Sequence, residues 1–294
     1  MLCWNRKILC LLLLFLLALL GLCCKQQIKT LRKKPPIKIH RRIKVSLDSH
    51  SKEPVRILLL GSDSRTESIA GRSDAIILVQ INPSTQSATL VSFPRDSRVY
   101  IPGRGYGKIN SAMAFGGPVL TVRTVENYSG LQIHYYMVTT FNGFMRMIQS
   151  LGGVQITLNK PLYDRWAGAN LPAGPQRLDP GQALAYCRAR HIPGGDLGRA
   201  AHQQHLLVAI FEQESHKNSP FDLLNWLPIV ISNCETNLSN KEMFQLARLV
   251  VSVKRENIET IVLPGRTGSA GGASYVFLDQ SVAGRVFQKL KNSQ

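Results

Sequence analysis

Asp63 and Arg65, then Arg72 and Asp74, then Arg95 and Asp96 set carboxylates beside guanidinium groups three times within one stretch of chain. Arg188, Arg190, Arg199 and Gln203 follow further on. Two aspartates without His or Cys partners suit a hard cation such as Mg²⁺ or Mn²⁺, which takes one or two carboxylates plus substrate phosphates. Planar guanidinium groups suit phosphate oxygens, because each presents two parallel donors. Taken singly, any of these pairs reads as an ordinary surface ion pair. As a set at the ends of apolar segments, they read as a site for a doubly charged phosphate group.

The elements that must position these residues follow from hydrophobic pattern and punctuation. Segments 55–60, 75–81 and 88–93 are short apolar strands, the second and third joined by Asn82-Pro83-Ser84 as a hairpin. If the first strand runs parallel to the third, all three Asp/Arg groups meet at one edge of the sheet, where open α/β sheets bind ligands. Helices are expected from Gly117-Pro118 to about Tyr128, from an Asn142 cap to Gly152, from Asp179-Pro180 to Arg188–Arg190, from an Asp196 cap to about Glu214, from Ser239 to about Val253, and near 281–290. Residues 154–158 and 258–263 are further strands. Alternation of strands and helices implies a sheet covered on both faces. On a helix Arg199 and Gln203 are four apart and share a face.

The 294 residues carry a net charge of +18, and ten Lys/Arg against Asp48 place half of that excess in residues 25–52. That stretch, with Pro35-Pro36 and no helical period, reads as a solvated basic tether able to lie on anionic lipid headgroups. It gives no reason to expect nucleic-acid binding, since neither a helix-turn-helix nor an aromatic-basic surface accompanies it. Residues 8–24 form an uncharged apolar run of about 25 Å as a helix, read as an uncleaved membrane anchor. The domain plan is therefore a short terminus 1–7, an anchor 8–24, a tether 25–52 and an α/β domain 53–294, which the resemblance described below makes catalytic, with residues 1–7 cytoplasmic. Basic residues after the anchor would by themselves favour a cytoplasmic domain. Of the six cysteines, only Cys187 and Cys234 lie beyond the tether, and their pairing stays open.

The ordered motifs GSDSR (61–65), GRSDAIILVQINP (71–83), FPRDSRVYIPG (93–103), KINSAMAFGGP (108–118) and RARH…DLGRAAHQQ (188–204) resemble the LytR-CpsA-Psr family. The resemblance implies a three-layer αβα domain with a central mixed sheet, held outside the membrane by one N-terminal transmembrane helix. It implies transfer of a glycopolymer phosphate (teichoic acid or capsule) from a polyprenyl-pyrophosphate carrier to a peptidoglycan hydroxyl. It places Asp63 and Asp74 on the metal, and Arg95, Arg188, Arg190, Arg199 and Gln203 on the pyrophosphate. Arg65 and Arg72 are contacts or orienters; Asp96 is either an orienter of Arg95 or the general base; Lys108 either neutralises phosphate or pairs structurally. His202 replaces the family's usual Arg, which would make binding weaker or pH-dependent. Phe115, Leu120, Phe141, Phe144, Met145 and Ile148 are candidate walls of a lipid tunnel, and core packing explains them equally well. His202 and His205 have no third metal ligand; residues 103–107 and 265–272 read as flexible loops. The rival readings are a polyprenyl-pyrophosphate binding or regulatory protein, a pyrophosphatase, and a nucleic-acid-binding protein.

Overall fold

The computed structural model describes residues 45–47, 51–64, 68–69, 71–215 and 220–293, the side chains of 215 and 220–226 excepted. The expected terminus, the anchor, most of the tether and Arg65 lie outside the described residues. Among the described residues no helix is long and apolar enough to cross a membrane.

Apolar, β-branched runs form the first three strands: β1 (Val55–Ser62), β2 (Ser73–Asn82) and β3 (Ser87–Ser92). β2 pairs antiparallel with both neighbours, so β1 and β3 point the same way, as the sequence required for a common edge. A hairpin of β4 (Arg98–Ile101) and β5 (Gly105–Lys108) follows, then α1 (Ser111–Ser129). α1 starts six residues before the expected opening. Its helical geometry breaks at Gly116 and Gly117, and Pro118 begins the second half. β6 (Tyr135–Thr139), α2 (Phe141–Ser150), β7 (Val154–Leu158), β8 (Leu162–Asp164), β9 (Ala169–Leu171) and β10 (Gly174–Leu178) come next. Then follow α3 (Pro180–Arg188), α4 (Gly195–Ser215), α5 (Pro220–Asn233), β11 (Glu235–Thr236) and α6 (Asn240–Val251). β12 (Ile258–Val262), β13 (Gly265–Ala270), β14 (Ala273–Leu278) and α7 (Gln280–Asn292) close the described chain.

The main sheet is six-stranded and mixed, in the order β11-β6-β1-β2-β3-β12, with β6 parallel to β1 and β12 parallel to β3. Period-2 alternation splits its side chains between two cores. Leu58, Leu60, Ile76 and Leu78 pack with Leu120 and Val125 of α1 and Phe287 of α7. Ile57, Ile77 and Ile81 pack on the opposite face with Met243, Leu246 and Leu249 of α6. Each fully buried aliphatic side chain contributes about 1.5–3 kcal/mol, so both faces must be covered. The expected α/β sandwich is what these two cores build. A third core joins α2, α3 and α4 to the antiparallel pair β7 and β10. Leu47 is buried and Val45 packs against the second core, so ordered packing reaches back into the expected tether.

Several local expectations need correction. Thr140, rather than Asn142, caps α2, accepting from the Gly143 amide at 3.2 Å. Residues 103–107 and 265–272 are parts of paired hairpins instead of free loops. The helix starts at Asp179-Pro180 and at Ser239 are present as read, and each is closed by a capping box, with Gln182 and Glu242 respectively. Gly153, between α2 and β7, has φ +90°, and a Cβ there would fall 2.6 Å from the Leu178 carbonyl oxygen. Gly153→Ala is therefore expected to cost more than the left-handed penalty of about 1–2 kcal/mol, read as a lower urea midpoint.

Candidate active site

At the edge where β1 and β3 end, a cavity of about 920 Å³ opens between the sheet and α2, α3 and α4. Asp74, Arg95, Arg188, Arg190, Arg199 and Gln203 all line it, together with Asp164, Trp166 and His191. Beyond this charged end the wall turns apolar, through Phe141, Phe144, Met147 and Ile148 of α2 and Leu206, Leu207, Ile210 and Phe211 of α4. Of the expected tunnel residues, Phe141, Phe144 and Ile148 line the cavity. Leu120 instead belongs to the first core, Phe115 is exposed against Arg104, and Met145 is not part of the wall.

Arg95 sits at the centre of the charge network. Its Nη1 donates to Asp74 Oδ1 at 2.7 Å, and its Nε lies 3.9 Å from Asp96 and 3.7 Å from Asp196. Nε is buried yet has no hydrogen-bond partner. Its charge partners there are the Asp96 and Asp196 carboxylates, just beyond hydrogen-bond distance, so the guanidinium is held by ion pairing on two sides. Burial opposes the Arg95 charge, but the Asp74 hydrogen bond and the fields of Asp74, Asp96 and Asp196 outweigh it and raise its pKa. Asp96 is held by Lys108 at 2.9 Å and does not line the cavity, which favours positioning of Arg95 over proton abstraction.

Asp196 falls inside the first turn of α4 rather than capping it. Its carboxylate accepts the Arg95 amide at 3.1 Å and pairs with Arg199, so α4 is tied to the end of β3. Arg199 is buried, and burial lowers its pKa against the raising fields of Asp196, Asp74 and Asp96. Gln203 Nε2 donates to the Cys187 carbonyl at 3.2 Å, joining α4 to α3. Arg188 lies over the Phe141 ring at 5.2 Å.

Asp63 and Arg72 stand beside the cavity. Asp63 Oδ1 accepts the Arg72 amide at 2.8 Å, and the Asp63 amide donates to the Arg72 carbonyl at 2.9 Å, closing the β1–β2 connection. The Arg72 side chain is exposed and neither residue lines the cavity. Among the described residues no cluster of three or more His, Cys, Asp or Glu could hold a metal. A hard cation sharing its shell with phosphate needs fewer carboxylates. Asp63 and Asp74 each keep Oδ2 without a hydrogen-bond partner among the described residues, and carboxylate oxygens are the ligand type a hard cation takes.

His202 does not line the cavity; its ring stacks on Tyr186 at 4.4 Å, and burial lowers its pKa. The expected pH effect on phosphate binding therefore has no geometric support. Cys187 and Cys234 are free thiols in the cavity wall, pushed up by burial to about 12 and about 11.

Asp164, which the sequence did not single out, organises the cavity mouth. It is buried and accepts the amides of Trp166, Ala167, Arg190 and His191 at 2.8–3.2 Å. Burial opposes its charge, but these hydrogen bonds and that of the His191 ring hold it well below the usual carboxylate range.

Comparison with known proteins settles the family. The sequence profile of the LytR_cpsA_psr family matches residues 22–292. The chain belongs to the LytR-CpsA-Psr family. A similar relative is the polyisoprenyl-teichoic acid–peptidoglycan teichoic acid transferase TagU of Enterococcus faecalis, 35% identical over 260 residues covering 86% of this chain and 84% of that one. Among solved structures, the LytR-CPS2A-psr family protein TagT with bound octaprenyl pyrophosphate lipid superimposes with a TM-score of 0.67 at 30% identity, covering 86% of this chain and 94% of that one. TagV of B. subtilis gives 0.73 at 28%, covering 83% and 98%. The geometry alone sets Asp74, Arg95, Arg199 and Gln203 along one cavity.

Proposed function

We propose that this chain moves a glycopolymer phosphate from a polyprenyl-pyrophosphate carrier to a sugar hydroxyl of peptidoglycan. The carrying observation is a single cavity in which a cluster of arginines runs directly into an apolar channel. That shape matches a ligand with a pyrophosphate head and a hydrocarbon tail. The names of the relatives favour teichoic acid as the polymer.

In this reading Arg95, Arg188, Arg190 and Arg199 bind the pyrophosphate oxygens. The acceptor hydroxyl attacks the phosphorus bearing the glycan, and the bond to the lipid phosphate breaks, with lipid monophosphate leaving. Catalysis is then positioning plus charge stabilisation, as in phosphoryl transfer generally. Asp63 and Asp74 would hold a magnesium ion, which would neutralise charge on the phosphates. Residues 8–24 would anchor the chain, the basic tether would lie on lipid headgroups, and the catalytic domain would face the extracytoplasmic side.

The test uses the full chain in detergent with a lipid-linked glycopolymer and peptidoglycan. Lipid monophosphate is expected to appear in step with polymer bound to peptidoglycan, to stop with chelator and to resume with Mg²⁺ or Mn²⁺. Lipid bound without release would make the chain a carrier-binding protein. Release at the same rate without acceptor would make it a pyrophosphatase.

A further inference from the structure

The Arg95-Asp96 segment is fastened to two hairpins. The Asn110 amide donates to the Arg95 carbonyl at 3.2 Å and the Ile109 amide to the Ser97 carbonyl at 2.9 Å, just beyond β5. The Val276 amide of β14 donates to the Asp96 carbonyl at 2.9 Å. Alternation along these strands sends Val99, Ile101, Val276 and Leu278 into the core and turns aromatic residues outward. Tyr100 and Tyr106 face each other across the β4–β5 hairpin, 45% and 64% exposed, with ring centroids 5.7 Å apart. The Arg98 guanidinium lies 4.4 Å from the centre of the Tyr106 ring and 6.0 Å from those of Tyr275 and Phe277.

Exposed aromatic rings gathered in one patch mark an interaction surface, since solitary ones need no explanation. Rings and guanidinium planes together suit a partner with flat C–H faces and negative substituents, which describes a pyranose chain bearing carboxylates. The position of the patch selects which chain. None of these residues lines the cavity. Arg98 is three residues from Arg95, within about 10 Å along the chain. In-line displacement puts the attacking hydroxyl opposite the leaving lipid phosphate. With the lipid tail in the cavity, the acceptor must come from outside it, and the patch lies outside the cavity, three residues from Arg95.

Resting on the transferase reading, we infer that Arg98, Tyr100, Tyr106, Tyr275 and Phe277 form the docking platform for the acceptor glycan. The platform binds a peptidoglycan strand by ring stacking and presents its hydroxyl to the phosphorus beside Arg95. The donor's own glycan does not use it.

The experiment measures binding of soluble, uncrosslinked peptidoglycan strands to the full chain, and acceptor KM and kcat, for wild type, Tyr100→Ala/Tyr106→Ala and Tyr106→Phe. The double variant is expected to weaken strand binding and raise acceptor KM about tenfold, the loss typical of a stacked anchor residue. Its kcat at saturating acceptor and its affinity for polyprenyl pyrophosphate should match wild type, and Tyr106→Phe should retain binding. Unchanged KM and binding with a lowered melting temperature would overturn the platform, leaving the tyrosines as hairpin supports. A matching loss of lipid-linked donor affinity would also overturn it, assigning the patch to the donor. Tyrosine-dependent strand binding without any transfer would sink the transferase reading while leaving the glycan surface standing. Normal transfer indifferent to the tyrosines would sink the platform alone.

Discussion

Arg95→Ala is expected to lower polymer transfer by about 10²–10³-fold, the usual effect of removing one preorganised donor from a developing charge. Nη1 is fixed on Asp74, the Arg95 amide on Asp196, and Nε lies between the Asp96 and Asp196 carboxylates. The guanidinium is therefore already aimed before a ligand arrives. Its loss would also leave Asp74, Asp96 and Asp196 facing one another without their shared cation. Arg95→Lys keeps charge and loses the planar fork, so it should fall between wild type and Ala. Transfer by Arg95→Ala within threefold of wild type would remove the assignment, provided the melting temperature shows a folded protein.

Asp164→Ala should destabilise the fold by about 3 kcal/mol or more, since each orphaned buried amide costs on the order of 1–3 kcal/mol and four donate here. The carboxyl's pKa is depressed in the folded state. Its contribution is thus fully present above the unfolded carboxylate range of about 4 and is lost as pH falls toward the depressed folded value. Wild type and Asp164→Ala stability curves should converge on acidification below pH 4 and stay parallel from pH 5 to 8. Curves that remain parallel down to the acid limit would show that Asp164 contributes through packing alone. Because Arg190 and His191 hang from this carboxylate, the variant should also bind lipid pyrophosphate less tightly.

The sequence was most readable where the signal was local. Three apolar strands, the Asn82-Pro83 turn, the Asp179-Pro180 helix start and the Ser239 cap each announce themselves within a few residues, and all are present. The convergence of Asp74 with Arg95 followed from the β2–β3 hairpin, which sets the start of β2 beside the end of β3; the common direction of β1 and β3 brought Asp63 only beside the cavity. β6 escaped notice because Tyr135–Thr139 lacks flanking Gly or Pro punctuation, although it pairs beside β1 at the centre of the sheet. Asp196 was read as a helix cap from its neighbours, whereas its partners Arg95 and Arg199 become visible only after folding. Asp164 showed only a local turn: its nearer amides, Trp166 and Ala167, lie within three residues, whereas those that tie it to the site, Arg190 and His191, lie 26 and 27 residues away.

The hydrocarbon-lined part of the cavity bears on turnover. If a polyprenyl tail fills it, that tail is identical before and after the phosphorus changes partners, so Phe144, Ile210 and their neighbours grip spent and loaded carrier alike. Such even-handed affinity lowers KM without raising kcat. Escape of the emptied carrier back to the bilayer then becomes the slow step, and widening this channel should hasten the cycle while weakening capture.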